Sequence, residues 1–353
     1  MVKLLRKFNI KIAIFCSIIT IFVLNIIKAM DIRESIKKII GVEMENFNKA
    51  LYDTLSSDNA LLKSVVDYYL QAKGKQIRPM LVILSSRLFG EVNDATMSAA
   101  VAVELLHNAS LIHDDVVDSS PLRRGRRTVN NIWDNRVAVL VGDFFVSTAL
   151  QSAIKSNNLN TVSLIAALGK ELATGEIDQI ETADSHILDE NRYFSVIKQK
   201  TASLFSSCML MGGYSNGADE QQLNAVELFG QKLGLCFQIK DDIFDYFTDD
   251  VVGKPTGSDL KEGKVSLPLL YAIESNNDER NDEMRALLMK QSLTDAEIAL
   301  LVDYAKEKGG IEYAEKTMQR LKTEAAEALE IFPDSDIKEM LMKILDYIIA
   351  RNY

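Results

Sequence analysis

The sequence predicts an all-α protein, and three observations carry that prediction. Apolar residues recur at spacings of three and four, as in Ile36, Ile39, Ile40, Met44, Phe47, Leu51 and Leu55, the period that puts side chains on one face of a helix. Ala, Leu, Ile, Lys and Glu run in long stretches without the Val/Thr/Tyr alternation of strands. Proline is scarce, with 5 in 353 residues, so few helices are broken. At 47% hydrophobic content the chain can bury a large core, and its length fits one big domain or two modest ones.

The first stretch departs from this pattern. Lys3, Arg6, Lys7 and Lys11 precede an apolar run from Ile12 to Ile27. As a membrane anchor the run is short, and the basic residues before it would send the rest of the chain outside. As a signal peptide it lacks a small-x-small cleavage site at Lys28-Ala29-Met30. The reading adopted is that 1–29 is an upstream extension from an over-long reading frame and that the protein starts at Met30.

From Asp31 the chain reads as helices. One or two span Ile36 to Leu55, and another covers Leu61 to Gln71 before Gly74-Lys75-Gln76-Ile77-Arg78-Pro79. Asn93-Asp94-Ala95-Thr96 opens a long helix that runs into Asp114-Asp115-Val116-Val117-Asp118. At about 100° per residue, His107, Asp114 and Asp118 fall within about 40° of one another. Glu104 and His107 form one Glu-x-x-His pair, but a di-iron bundle site needs two and no second copy exists. Pro121 ends this helix, and Arg123-Arg124-Gly125-Arg126-Arg127 follows. Val137 to Leu150 reads as a buried helix, and a further one carries Gly175, Glu176 and Gln179. A polar connection leads to Tyr193-Phe194 and Lys198-Gln199-Lys200-Thr201.

The helix from Ala225 to Phe247 bears Asp241-Asp242-Ile243-Phe244-Asp245, the same acidic pattern again, with Gln238 about 60° from Asp241. A turn-rich loop holds Gly253-Lys254 and Asp259, and Gly263-Lys264 precedes the next helix. Thr294 with Glu297 is a capping box, Gly309-Gly310 a helix stop, and the last helices reach Arg351. No linker or repeat marks a second domain.

Charge narrows the function. A net charge of −10 argues against nucleic acid as a partner. The 3 cysteines are scattered without zinc-like spacing, which suits the cytoplasm. Each acidic stretch places like charges at i and i+4, which destabilise a bare helix and call for a cation. Hard divalent ions such as Mg²⁺ take carboxylate oxygens together with substrate phosphate. Two Asp-rich helices, with Lys75, Arg78, Arg123, Arg124, Lys200 and Lys264 brought near them, would cage a diphosphate, and apolar helical walls suit a hydrocarbon chain. The combination points to chemistry with diphosphate as leaving group. No serine or cysteine nucleophile with a base and no Gly-rich phosphate loop is present.

These motifs, in this order, resemble the trans-isoprenyl diphosphate synthases, or polyprenyl synthetases, over 30–353. The resemblance rests on Gly74-Lys75-x-x-Arg78-Pro79, His107, both Asp-rich stretches, Arg123-Arg124-Gly125, Gly142-Asp143, Lys200-Thr201, Phe237-Gln238, Gly253-Lys254, Asp259 and Gly263-Lys264. Gln76 stands where the family often has a basic residue, and Arg127 where it often has Pro.

The resemblance implies a single large helical bundle around a deep central cavity, working as a homodimer, with membrane contact only through its product or the N-terminal stretch. It implies that Asp114, Asp118 and Asp241 are the principal Mg²⁺ ligands, supported by Asp115, Asp242 and Asp245. Arg123, Lys200 and Lys264 would grip an allylic diphosphate, and Lys75, Arg78, His107 and Arg124 isopentenyl diphosphate. Thr201 and Gln238 would lie beside the allylic cation, Lys254 in a loop contact and Arg351 in a closing contact. Ala109 and Ser110, small residues a turn before the first stretch, would leave room for a medium or long chain such as a quinone side chain. Helix geometry puts Ser110 about 40° from Asp114 but Ala109 about 140° away, and Phe144 and Phe145 could form a floor higher in the cavity. The rivals are a farnesyl or geranylgeranyl diphosphate synthase, a class I terpene cyclase, and a non-catalytic subunit of a heteromeric synthase. The intact second stretch opposes the last two.

Overall fold

The computed structural model describes residues 32–72, 74–123, 125–185, 187–247, 256–274 and 279–351. The apolar N-terminal run, Arg124 and Lys254 lie outside the described residues. Residues 32–54 form α1, followed by α2 (Ala60–Leu70), α3 (Ile77–Arg87) and α4 (Asp94–Val117). A hairpin of two-residue strands, β1 (Leu122–Arg123) and β2 (Arg126–Arg127), leads through α5 (Val129–Ile132) to α6 (Asn135–Lys155) and α7 (Leu159–Asp184). Next come α8 (Glu190–Ile197), a π-helical turn (Lys198–Ala202), α9 (Ser203–Ser215) and α10 (Glu220–Phe244). The C-terminal part comprises α11 (Ser258–Lys261), α12 (Leu267–Glu274), α13 (Asn281–Leu288), α14 (Asp295–Glu307), α15 (Gly310–Ala328), a 3₁₀ turn (Leu329–Ile331) and α16 (Asp336–Ala350).

The all-α class is as the sequence predicts, and the caps explain why the helices start where they do. Asn93 and Thr96 form a capping box for α4, Asp219 and Gln222 one for α10, and Thr294 and Glu297 the predicted one for α14. The apolar stripe of α1 begins earlier than its predicted start, because Ile32 is also buried. The first acidic helix ends at Val117, before Pro121, because Ser119 turns into the left-handed region at φ 50° and the Ser119 and Ser120 amides close back on the Val116 and Asp115 carbonyls. The arginine-rich segment expected as a loop is the hairpin, with Gly125 at φ 72° in its turn.

One hydrophobic core runs through α1–α4, α6, α9, α10, α15 and α16. A satellite cluster of Tyr246, Leu269, Leu301 and Tyr304 joins α12–α14 to the end of α10, and Leu188, Val265 and Ile311 pack against both. Close backbone approach fixes the helices that carry the site. A Cβ on Gly230 would lie 2.7 Å from Ser206 Cα, and one on Gly234 would lie 2.6 Å from Ala202 Cα. These two glycines, one turn apart, let α10 rest against α9 and the π turn.

Candidate active site

Both acidic stretches close long helices. Asp114 and Asp115 lie in the last turn of α4 with Asp118 as its C-cap residue, and Asp241 and Asp242 lie in the last turn of α10 with Asp245 as its C-cap. No basic residue sits in either last turn. The backbone dipole makes this the end where cations are favoured, by about 0.3–1 kcal/mol each, so carboxylates here are disfavoured twice.

The surrounding side chains show which carboxylates are committed to the protein. Asp115 accepts a hydrogen bond from Arg123 Nε at 2.7 Å. Asp242 accepts from Tyr193 Oη at 2.5 Å and from Gln238 Nε2 at 2.8 Å, one donor on each oxygen. Asp245 caps α11, accepting from the Ser258 amide at 2.9 Å and the Asp259 amide at 3.1 Å. Asp241 is bound by Arg351, whose Nη2 donates to it at 2.5 Å and to the Phe237 carbonyl at 3.1 Å, while the guanidinium lies 4.3 Å from the Phe237 ring centroid.

Two clefts flank the acidic ends. The first, about 630 Å³, is lined by Lys200, Thr201, Gln238, Asp242, Asp259 and Lys264. Its cations serve both stretches. Lys200 pairs with Glu176 and donates to Gln179 Oε1 at 3.1 Å. Burial pushes the Asp114 carboxyl up to about 6; the Lys200 charge opposes this, and Glu176 adds to it. Burial works against the Lys264 ammonium, but its 2.6 Å hydrogen bond to Glu262, with Asp118 and Asp259 nearby, carries its pKa above the ordinary lysine value. The same lysine therefore feels the first stretch through Asp118 and the loop after the second through Asp259. Thr201 Oγ1 donates to Gln238 Oε1 at 2.7 Å.

The second cleft, about 590 Å³, lies against the hairpin and is lined by Gly74, Gln76, Asn108, Asp115, Arg123 and Arg126. It places Arg123 beside the residues that flank Lys75, while the Arg123 charge, like that of Lys200, also acts on Asp114. Gln76 holds a left-handed conformation at φ 50° and donates from Nε2 to Asn48 Oδ1 at 2.9 Å. It ties the loop to α1 in the place of a further cation. Arg78 lies with its guanidinium 5.5 Å from the Phe205 ring centroid, and the His107 carbonyl accepts from Ser110 Oγ at 2.9 Å. Ala109 is fully buried, and neither it nor Ser110 lines these two clefts. Phe145, also fully buried, stands edge-on to Tyr69 at 5.7 Å between centroids.

Sequence reasoning did not assign roles to Glu176, Gln179 and Tyr193. Glu176 and Gln179 were findable, since their i, i+3 spacing places them on one face of α7. Tyr193 was not, because its partner lies 49 positions away on another helix. The π turn that carries Lys200 and Thr201 also has no sequence signal, although such turns often occur at functional sites.

The donor set fits a hard divalent cation. Asp114 and Asp118 are one turn apart on one helix face, and burial raises the Asp114 carboxyl even with Lys200 and Arg123 opposing it, so a nearby cation would favour its charged form. Among the described residues no group of three carboxylate, imidazole or thiol side chains closes on a single ion, so an ion here would complete its shell with substrate and water oxygens.

Comparison with known proteins agrees with this geometry. Residues 59–305 match the family model described as polyprenyl synthetase. The chain is 33% identical over 324 residues to the octaprenyl diphosphate synthase of Haemophilus influenzae, covering 91% of this chain and 97% of that one. Among solved structures, a geranylgeranyl pyrophosphate synthase from Bacteroides thetaiotaomicron is 39% identical with a TM-score of 0.79, covering 91% of this chain and 100% of that one. A polyprenyl synthase from Caulobacter crescentus complexed with calcium and isoprenyl diphosphate is 31% identical with a TM-score of 0.83, covering 91% and 98%.

The Asp242 carboxyl, pushed by burial from the ordinary 3.8 up to about 7, gives the metal-free protein a pH signature. Over that interval the native state holds a proton that the unfolded chain releases, so the stability present below about pH 4 is lost as pH rises to about 7. Urea midpoints measured in chelator should fall across this window more steeply for the wild type than for Asp242→Asn; identical slopes would contradict the assignment.

Proposed function

The chain belongs to the polyprenyl synthetase family, and we propose that it is an all-trans-polyprenyl diphosphate synthase of the medium- or long-chain type, adding isopentenyl diphosphate units to an allylic diphosphate. The observation that carries this reading is the pair of complete acidic helix ends, with Lys200 and Lys264 lining the cleft beside Asp242 while their charges act with Asp114 and Asp118 of the first stretch. A quinone side chain is a fitting destination for the product.

Asp114, Asp118 and Asp241 would hold Mg²⁺, Asp241 with one oxygen shared with Arg351, while the three other aspartates are engaged by Arg123, by Tyr193 and Gln238, and by the α11 amides. When bound, Mg²⁺ supplies positive charge to the departing diphosphate. Lys200 and Lys264 stabilise the same charge as the allylic C–O bond breaks and its electron pair leaves with the diphosphate. Arg123, Arg126 and the Lys75 loop hold the diphosphate of the isopentenyl substrate in the second cleft, joined by Arg78 and His107. The double bond of that substrate then attacks the allylic carbon, and a proton departs to the released diphosphate. Thr201 and Gln238 line the first cleft and present oxygen atoms toward the developing cation. Arg351, which holds Asp241, must exchange that contact or share it when substrate binds.

The octaprenyl relative and the absence of bulky groups at Ala109 and Ser110 support the longer product. A short-chain reading draws on the 39% identical geranylgeranyl neighbour and on the contact of half-buried Tyr69 with buried Phe145, which could floor a shallow cavity.

A homodimer also forms part of this reading. On α6, Val139, Leu140, Leu150 and Ile154 fall within an arc of about 100°, and Leu140 and Ile154 are 67% and 62% exposed. Such an apolar stripe suits a second copy of the chain. Light scattering should give twice the chain mass for the wild type and a shift to monomer for Leu140→Asp with Ile154→Asp; a monomeric wild type at micromolar concentration would contradict it.

For the chemistry, Asp114→Ala and Asp241→Ala should each lower elongation by more than about a thousandfold while circular dichroism stays helical. Wild-type rates in either variant would refute the metal assignment.

A further inference from the structure

We propose that Tyr193 is a positioning residue for prenyl transfer, acting through Asp242 on Gln238 and Thr201; the inference rests on the prenyl-transfer reading above. Tyr193 stands on α8, one helix away from the acidic stretch it serves. Its hydroxyl donates to Asp242 Oδ2 at 2.5 Å, Gln238 Nε2 donates to the other oxygen at 2.8 Å, and Thr201 Oγ1 donates to Gln238 Oε1 at 2.7 Å. The four side chains form one relay across α8, the π turn and α10.

The relay has a direction. Once ionised, Asp242 only accepts, so it draws the amide nitrogen of Gln238 toward itself and turns the amide oxygen toward Thr201. Thr201 must then donate, which leaves its oxygen lone pairs for the cleft that both residues line. Oxygen lone pairs facing a developing carbocation stabilise it; an N–H or O–H hydrogen in the same place would not. Tyr193 is the group that makes this orientation unique. Asp242 is 6% exposed, so an oxygen that lost its donor could not turn to water. The carboxyl would instead rotate to share the remaining donor, and Gln238 and Thr201 would lose their fixed alignment. Asp242 is thereby an anchor for the cleft wall rather than a metal ligand.

The ring of Tyr193 is 9% exposed and packs edge-on against Phe194 at 5.4 Å between centroids. Replacing it with Phe keeps that packing and removes only the hydroxyl.

The test is steady-state elongation at saturating Mg²⁺, allylic and isopentenyl diphosphates for wild type, Tyr193→Phe, Asp242→Asn and the double variant. Tyr193→Phe should lower kcat about tenfold to a hundredfold, leave KM for both substrates within about threefold, and leave the Mg²⁺ concentration for half-activation unmoved. The double variant should be no slower than Asp242→Asn alone, because both changes cut the same relay. That comparison also keeps the test open if the single Phe variant folds poorly, since the neutral Asn tolerates loss of the donor. An unchanged kcat in Tyr193→Phe, losses that multiply in the double variant, or activity restored by more Mg²⁺ would each overturn the inference. A wild-type chain that elongates nothing removes the underlying reading and the inference together; a wild type that elongates beside an equally active Tyr193→Phe removes the inference alone.

Discussion

The organising constraint is the placement of carboxylates at the C-terminal ends of α4 and α10, where backbone dipole and like-charge neighbours both oppose them. Much of the surrounding structure can be understood as the answer to that opposition. Arg123, Arg351, Lys200 and Lys264 arrive from four other parts of the chain: the hairpin, the C-terminus, the π turn and the segment before α12. Four of the six aspartates, Asp115, Asp241, Asp242 and Asp245, are held by donors from the protein itself. In the proposed reading Asp114 and Asp118 meet substrate and metal, and Asp241 joins them from under Arg351.

The scaffold holds these charges in place with small residues. Gly230 and Gly234 bring α10 onto the π turn, so that Gln238 on one element meets Thr201 on the other. Gly175 does the same for α7: a Cβ there would stand 3.3 Å from the Lys200 amide nitrogen, and the Lys200 partners Glu176 and Gln179 lie next to it and one turn along the same helix. Close packing thus converts backbone contact into fixed positions for a lysine, a threonine and a glutamine. The satellite cluster around Tyr246 and Leu269 anchors the segment that carries Lys264.

The fold was legible, and candidate site residues could be named, because their signals are local. Helical periodicity, the Asn93 cap, the Thr294 capping box and the repeated acidic pattern each lie within a few residues. What was not legible depends on contacts between distant residues. Nothing near Asp242 or Asp245 distinguishes an aspartate that accepts from a buried tyrosine, or one that caps the next helix, from one that waits for an ion. Arg351 was expected as a closing contact at the C-terminus, but its bond to Asp241 crosses 110 positions. Arg123 was grouped with Lys200 by its likeness to a known motif, and both charges act on Asp114, but nothing local in the sequence shows that the hairpin also sets Arg123 in the cleft beside Gly74 and Gln76.

Cavity depth remains the property that converts this site into a particular product. Ala109 is fully buried on the helix of the first stretch, and Phe145 stands edge-on to Tyr69; the length of the finished hydrocarbon reports how much room the chain leaves for it. The decisive measurement is the chain length of the dephosphorylated product after the purified protein is incubated with Mg²⁺, farnesyl diphosphate and labelled isopentenyl diphosphate. The account predicts repeated additions ending in a medium or long all-trans chain. A product that stops after one added unit, or no elongation at all, would contradict it.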